Sequence, residues 1–215
     1  MMAIVPSLAN GFKEDGLLFD FRTSHDFSKW SECSDTCRTD GNPTRFGSKA
    51  IITSHKGTHS TCAIFFYLLD PLPNGCCFAN VEYKENRWDL SDYDGIEAEL
   101  RRTGSNEWFK FVLDQEHYYE KQFQVCFSQT LASGDRDNVC LFQAPSEFET
   151  VRFAFSDFKA YSHGKPVENA PPLNKSNLGF SIQVFGGVFE PFKQSGPGIL
   201  QINWVRAYKS QHQLF

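Results

Sequence analysis

Apolar and polar residues alternate with a period of two along most of this chain. Ile96, Ala98 and Leu100 alternate with Glu97, Glu99 and Arg101, which sets aliphatics and carboxylates on opposite faces of an extended strand. Phe109, Phe111 and Leu113 repeat the pattern against Trp108, Lys110 and Val112, and Phe123, Val125 and Phe127 repeat it against Gln122, Gln124 and Cys126. Val151, Phe153 and Phe155 follow, then Leu178, Phe180, Ile182 and Val184, then Leu200, Ile202 and Trp204. No convincing helical period competes with them. Strands around Ile51, at residues 62–69 and at residues 77–81 offer a facing layer. The pattern therefore predicts an all-β fold, an antiparallel two-sheet β-sandwich, with Phe153, Phe155, Phe180 and Trp204 buried. The unbroken apolar run at 62–69 reads as a strand buried on both faces and is far too short to span a bilayer.

Turn chemistry separates the strands at Pro71-Leu72-Pro73-Asn74-Gly75, Asp92-Tyr93-Asp94-Gly95, Thr103-Gly104-Ser105-Asn106, Ser133-Gly134-Asp135 and Ser195-Gly196-Pro197-Gly198. The longest irregular stretch, residues 160–176 with Pro166, Pro171 and Pro172, reads as a loop that crosses between sheets or carries function. No linker or internal repeat is visible. One sandwich domain is expected at residues 17–209, after an N-terminal extension of residues 1–16 and before a tail of residues 210–215.

Composition sharpens this picture. With 22 Phe, 7 Tyr and 4 Trp in 215 residues, the core needs neither metal nor disulfide to hold it. A net charge of −5 with no basic tract argues against nucleic acid as a partner. The N-terminus has no charged n-region, and Glu14 and Asp15 precede the first arginine, Arg22. That pattern fits neither a signal peptide nor a mitochondrial presequence and implies the cytosol. Seven cysteines cannot all pair, so free thiols are expected.

Candidate chemistry is sparse. Glu97 and Glu99 share a strand face, as the acid and nucleophile of sandwich-fold glycosidases do, but the third acid of a Glu-x-Asp-x-Glu run is missing and Arg101 and Arg102 lie close by. A solvated face with ion pairs is the better reading. His55 and His59 have metal spacing only on a helix and sit in a turn-like segment. Cys33 and Cys37 lack a second ligand pair, and Cys76-Cys77 reads as a vicinal pair with one member in the core. The phosphate-cradling glycine motifs and the G-x-S-x-G elbow are absent.

Binding is better represented than catalysis. The loop Asp114-Gln115-Glu116-His117-Tyr118-Tyr119 combines rings that stack on sugars or fill protein interfaces with groups that hydrogen-bond hydroxyls. Asp35 and Arg38 form a second candidate surface, against which stands the plainer role of Asp35 in bonding loop amides. Trp108, Gln122, Gln124, Arg152, Gln183, Gln201 and Asn203 form a binding platform if they share one sheet.

The strand ending in Ser156-Asp157-Phe158, the proline-rich crossing loop and the closing Asn203-Trp204-Val205-Arg206-Ala207-Tyr208 strongly resemble the C-terminal half of the complex I intermediate-associated protein 30 family. Trp30 with Ser34-Asp35-Thr36, the strand at 75–81 and Trp88-Asp89-Leu90-Ser91-Asp92-Tyr93-Asp94-Gly95-Ile96-Glu97 extend the resemblance to about residues 18–208. Cys37-Arg38 and residues 39–46 depart from the glycine-rich turn usual there. The resemblance implies a jelly-roll sandwich of the galactose-binding type without catalytic residues, cofactor or metal. It implies a non-enzymatic protein-binding scaffold or chaperone whose partners are respiratory complex I assembly intermediates, placed in the mitochondrial matrix. The alternatives are a carbohydrate-binding module-like sandwich with a glycan ligand, and a cytosolic family member with an unassigned binding role.

Overall fold

The computed structural model describes residues 16–38, 47–57, 60–114, 137–162 and 165–210. Its strands are β1 (Leu17–Asp20), β2 (Trp30–Ser34), β3 (Lys49–Lys56), β4 (Thr61–Leu69), β5 (Phe78–Trp88), β6 (Gly95–Thr103), β7 (Trp108–Asp114), β8 (Asp137–Gln143), β9 (Glu149–Ala154), β10 (Lys159–Ser162), β11 (Lys165–Pro166), β12 (Leu178–Phe185) and β13 (Gly196–Tyr208). Helix among the described residues is confined to single 3-10 turns at Phe27–Lys29, Asp35–Arg38 and Phe155–Asp157.

The strands form two antiparallel sheets. One runs β3-β4-β13-β6-β9, with β1 pairing to the far end of β13; the other runs β11-β10-β8-β7-β12-β5-β2. The alternation explains the interface between them. Phe65, Ile96, Ala98, Leu100 and Ile202 point inward from the β13 sheet, and Phe109, Phe111, Phe180, Ile182 and Val184 point inward from the β12 sheet; all are fully buried. Antiparallel sheets whose one face is dry and other face wet give this repeat of two.

Several expectations change on contact with the structure. Strands β6, β9 and β13 lie in one sheet with β3 and β4, whereas β7 and β12 lie in the other with β5, so the supposed facing layer is divided between both. The run at 62–69 is not buried on both faces, since Phe66 and Leu68 are exposed, and on β3 Ala50 and Ile52 are buried while Ile51 is exposed. Phe153 and Phe180 are buried but Phe155, which opens a 3-10 turn, is only partly so. The stretch 160–176 contains the β10–β11 hairpin. His55 lies on β3, paired with Cys62, because β3 continues through the segment that reads as a turn. Cys33 is in a disulfide, which overturns the free-thiol expectation at that residue; an odd number of cysteines forbids complete pairing, not a single bridge. Cys62, Cys76, Cys77 and Cys140 are in the thiol form. The predicted strand at Phe123, Val125 and Phe127 and the histidine at 59 lie outside the described residues.

Candidate functional site

The outer face of the β12 sheet collects unusual polar groups. Register places Asn80 of β5, Gln183 of β12 and Lys110 of β7 in one row. The Lys110 side chain is 7% exposed, with its ammonium 4.0 Å from the Phe185 ring centroid and 5.4 Å from that of Tyr161. Such placement over ring faces suits a cation. Burial nonetheless pushes its pKa down to about 8, against the pull of Glu190 and Asp137. It makes no hydrogen bond or ion pair among the described residues, and the buried Oδ1 of Asn80 has no hydrogen-bond partner there. Sequence reading passed over both, since an isolated Lys or Asn on a strand reveals nothing about its cover.

Trp108 opens β7 on this same face and stacks on Phe192 with centroids 4.9 Å apart and planes 10° from parallel. Phe192 belongs to the turn after β12, and Gln194 fixes that turn. Its Oε1 accepts from the amides of Glu107 and Trp108, and its Nε2 donates to the carbonyls of Trp108 and Phe185. Four bonds from one side chain hold a turn whose tip presents Val188 and Phe189, 48% and 57% exposed, to solvent.

Asp114 closes β7 and is clamped by Arg87, which reaches its Oδ1 at 2.5 Å and its carbonyl at 2.8 Å. The pair crosses over Gly179 of β12, where a Cβ would stand 2.1 Å from Asp114 Oδ2, so only glycine leaves room for it. Glu116, His117, Tyr118 and Tyr119 lie outside the described residues. Asp35 is fully buried: Oδ1 accepts from the Ser48 amide at 2.8 Å, and Oδ2 accepts from Ser48 Oγ at 2.6 Å and from the Phe78 amide at 3.0 Å. It thereby joins the end of β2 to the starts of β3 and β5. Arg38 ends the following 3-10 turn, and its side chain lies outside the described residues.

The polar platform divides. Trp108 and Gln183 lie on the β12 sheet, while Arg152, Gln201 and Asn203 lie on the β13 sheet; Gln122 and Gln124 lie outside the described residues. On the outer face of the β13 sheet Glu97 is buried between two strands. Arg152 of β9 reaches its Oε2 at 2.7 Å and Arg206 of β13 reaches its Oε1 at 2.5 Å. Glu99 accepts instead from Asn203 Nδ2 at 2.7 Å. Both Glu97 oxygens are thus engaged by guanidinium groups, the arrangement of a structural ion triad.

Burial by itself would raise the pKa of Glu97, but hydrogen bonds and charge from Arg152 and Arg206 outweigh it and hold the group below the ordinary glutamate value of 4.5. A lowered folded-state pKa stabilises the fold above the unfolded value, and that contribution is lost as pH falls through the folded one. Glu97→Gln is expected to lower stability by about 1–3 kcal/mol at neutral pH. The gap from wild type should close below about pH 4.5, as read by urea unfolding at a series of pH values.

An open-sided cavity of about 290 Å³ lies where β8 and β9 part, lined by Cys140, Phe142, Val151 and Phe153 below and by Arg152, Asp157, Lys159 and Tyr161 at its rim. Among the described residues no group of three or more His, Cys, Asp or Glu is placed to hold a metal ion, and no helix is long and apolar enough to cross a membrane.

Sheet order and buried faces define an antiparallel two-sheet β-sandwich of the galactose-binding-like class. Within that class the sequence model described as Complex I intermediate-associated protein 30 (CIA30) matches residues 19–202, and the chain belongs to this family. An uncharacterized protein of Schizosaccharomyces pombe is 28% identical over 134 residues, which are 62% of this chain and 57% of that protein. The chain thus spans little more than half the length of that relative. Among solved structures, the family 11 carbohydrate-binding module of a cellulosomal cellulase from Clostridium thermocellum is 15% identical, with 92% of this chain and 96% of that one covered and a TM-score of 0.59. A family 11 module from the same organism in complex with a β-1,3-1,4-mixed-linked tetrasaccharide is 16% identical, with 92% and 97% covered and a TM-score of 0.57. At these identities the likeness is one of fold.

Proposed function

We propose that the chain is a non-enzymatic scaffold that binds other proteins, and that its partners are assembly intermediates of respiratory complex I. The observation that carries the reading is the family match over residues 19–202, which runs from within β1 into β13 and so takes in both sheets. The apolar tip at Val188 and Phe189, on a turn anchored by Gln194, supports it, because pre-ordered exposed apolar groups lose little entropy on docking. The reading places the protein in the mitochondrial matrix. Fractionation of cells carrying the untagged native chain, together with its deletion, tests this. A matrix protein whose loss depletes assembled complex I is the expected result; a cytosolic protein with complex I intact after deletion overturns it.

A second reading, glycan binding, is favoured by one feature. The Lys110 ammonium and the buried Asn80 Oδ1, which have no hydrogen-bond partner among the described residues, share a strand row beside Trp108, and sugar hydroxyls, which both donate and accept, would pair with them once the covering rings swing aside. A glycan array blank for the wild-type chain removes this reading. Reproducible hits lost in Lys110→Met would place it ahead of the scaffold.

A further inference from the structure

Among the described residues, β9 and the far half of β8 present unpaired backbone at the cavity between them. In an antiparallel ladder alternate residues direct their N–H and C=O to opposite neighbours. The Phe155 amide donates to Asp94 O across from β6, and the register continues through Phe153–Ile96 and Val151–Ala98. Thr150, Arg152 and Ala154 therefore turn their amides away from β6, toward the free side of β9. The Ala154 amide is capped there by Asp157 Oδ2 at 3.2 Å; Thr150 and Arg152 have no such cap among the described residues. On the facing sheet the Ala144 amide donates to Glu107 O, so Leu141 and Gln143 turn theirs away from β7. Strand β10 pairs β8 only from Asp137 to Val139 and leaves these two beyond its reach.

The β12 sheet also outruns its companion at this side. Strands β10 and β11 continue past β8, while β9 is the last strand of the β13 sheet among the described residues. The space so left is the cavity, floored by Phe142 and Phe153 and edged by two exposed cations, Arg152 and Lys159. Arg152 gives one bond to Glu97 and keeps a side chain 69% exposed. Exposed edge strands are normally blunted by a charge, a proline or a covering loop, and here Asp157 covers only Ala154.

We infer that the free edge of β9 receives an extended segment of a partner protein, which adds as a strand to the β13 sheet. An apolar side chain of that segment would enter the cavity over Phe142 and Phe153, and acidic residues beside it would meet Arg152 and Lys159. Strand addition of this kind takes its affinity from main-chain bonds and its selectivity from alternate side-chain pockets. The inference rests on the reading of the chain as a protein-binding scaffold and names the surface and the chemistry of the segment bound.

The probe is a set of short blocked peptides of alternating Val and Thr, flanked by Glu in one series and by Lys in the other, titrated against the full chain by fluorescence anisotropy. Glu-flanked peptides should bind and Lys-flanked ones should not. N-methylation at every second residue should abolish binding in one phase and spare it in the other, since only alternate amides of an added strand meet β9. Thr150→Pro removes an outward N–H and leaves the bonds to β6 in place, and should weaken binding about tenfold. Equal binding of the two series, no binding of either, indifference to the phase of N-methylation, or undiminished binding by a folded Thr150→Pro chain each overturns the inference. Should that variant fail to fold, the N-methylated pair decides alone. The peptides contain no assembly protein, so the two readings fail separately. Phase-dependent binding with complex I intact after deletion keeps the edge and removes the assembly role, and a complex I defect without peptide binding does the reverse.

Discussion

Phe180→Ala is expected to lower the unfolding free energy by about 3–5 kcal/mol. The ring is fully buried, 5.2 Å from Phe111 and 5.4 Å from Phe19 between ring centroids. Its strand, β12, is paired on both sides by β5 and β7, so the backbone cannot close on the space left. Trp204→Ala is the comparison. That ring is also buried, but it lies on the outer face of the β13 sheet with the Arg206 guanidinium 4.7 Å from its centroid. A charged side chain at the surface can settle into the gap, and about 1–3 kcal/mol is expected. Urea unfolding of both variants measures the difference; a smaller loss for Phe180→Ala than for Trp204→Ala would contradict this picture of the core.

The second large effect is expected at Asp35. Asp35→Ala should cost about 3–5 kcal/mol, because it strands two buried backbone amides and the Ser48 hydroxyl together. Asp35→Asn keeps one acceptor but turns an NH₂ toward one of the other donors, so it should recover only part of the loss. Thermal unfolding of the two variants, followed by circular dichroism, gives the order. Equal stability of Asp35→Ala and wild type would mean that water replaces the carboxylate at no cost.

The alternation carried the fold class, because a repeat of two with phenylalanine on one side has few solutions other than two packed sheets. It failed where the repeat is interrupted. Ile202 opposes Leu100 and Trp204 opposes Glu99, so β13 has two steps where β6 has one, and this bulge moves Val205 and Ala207 into the core and Trp204 out of it. A bulge is one extra residue and leaves no mark in a run of apolar letters. Sheet membership was equally invisible, since periodicity fixes which way a residue points and not which layer it belongs to. The same limit hid the candidate sites. Gln194 binds the amides of Glu107 and Trp108, 87 and 86 positions away, and Lys110 lies against Tyr161 and Phe185, 51 and 75 positions away. Asp35 could be read as a residue that bonds loop amides, but its partners at Ser48 and Phe78 could not.

Strand β13 lies in the middle of its sheet, between β4 and β6, and is the last of the described strands in chain order. A nascent chain emerging from the ribosome therefore displays β3–β4 and β6–β9 as two separate pieces whose facing edges have nothing to join them. The sheet can close only after residue 208 is free, and the strand that closes it must insert between two waiting edges instead of adding to one. Until then Phe65 and Leu100 have no neighbour on that side, and their strands offer open backbone to any other chain nearby. Long-range closure of this sort is slow and aggregation-prone. During synthesis the open half-sheets are thus exposed to aggregation, and truncation within residues 196–208 would yield two unjoined half-sheets in place of a slightly shorter domain.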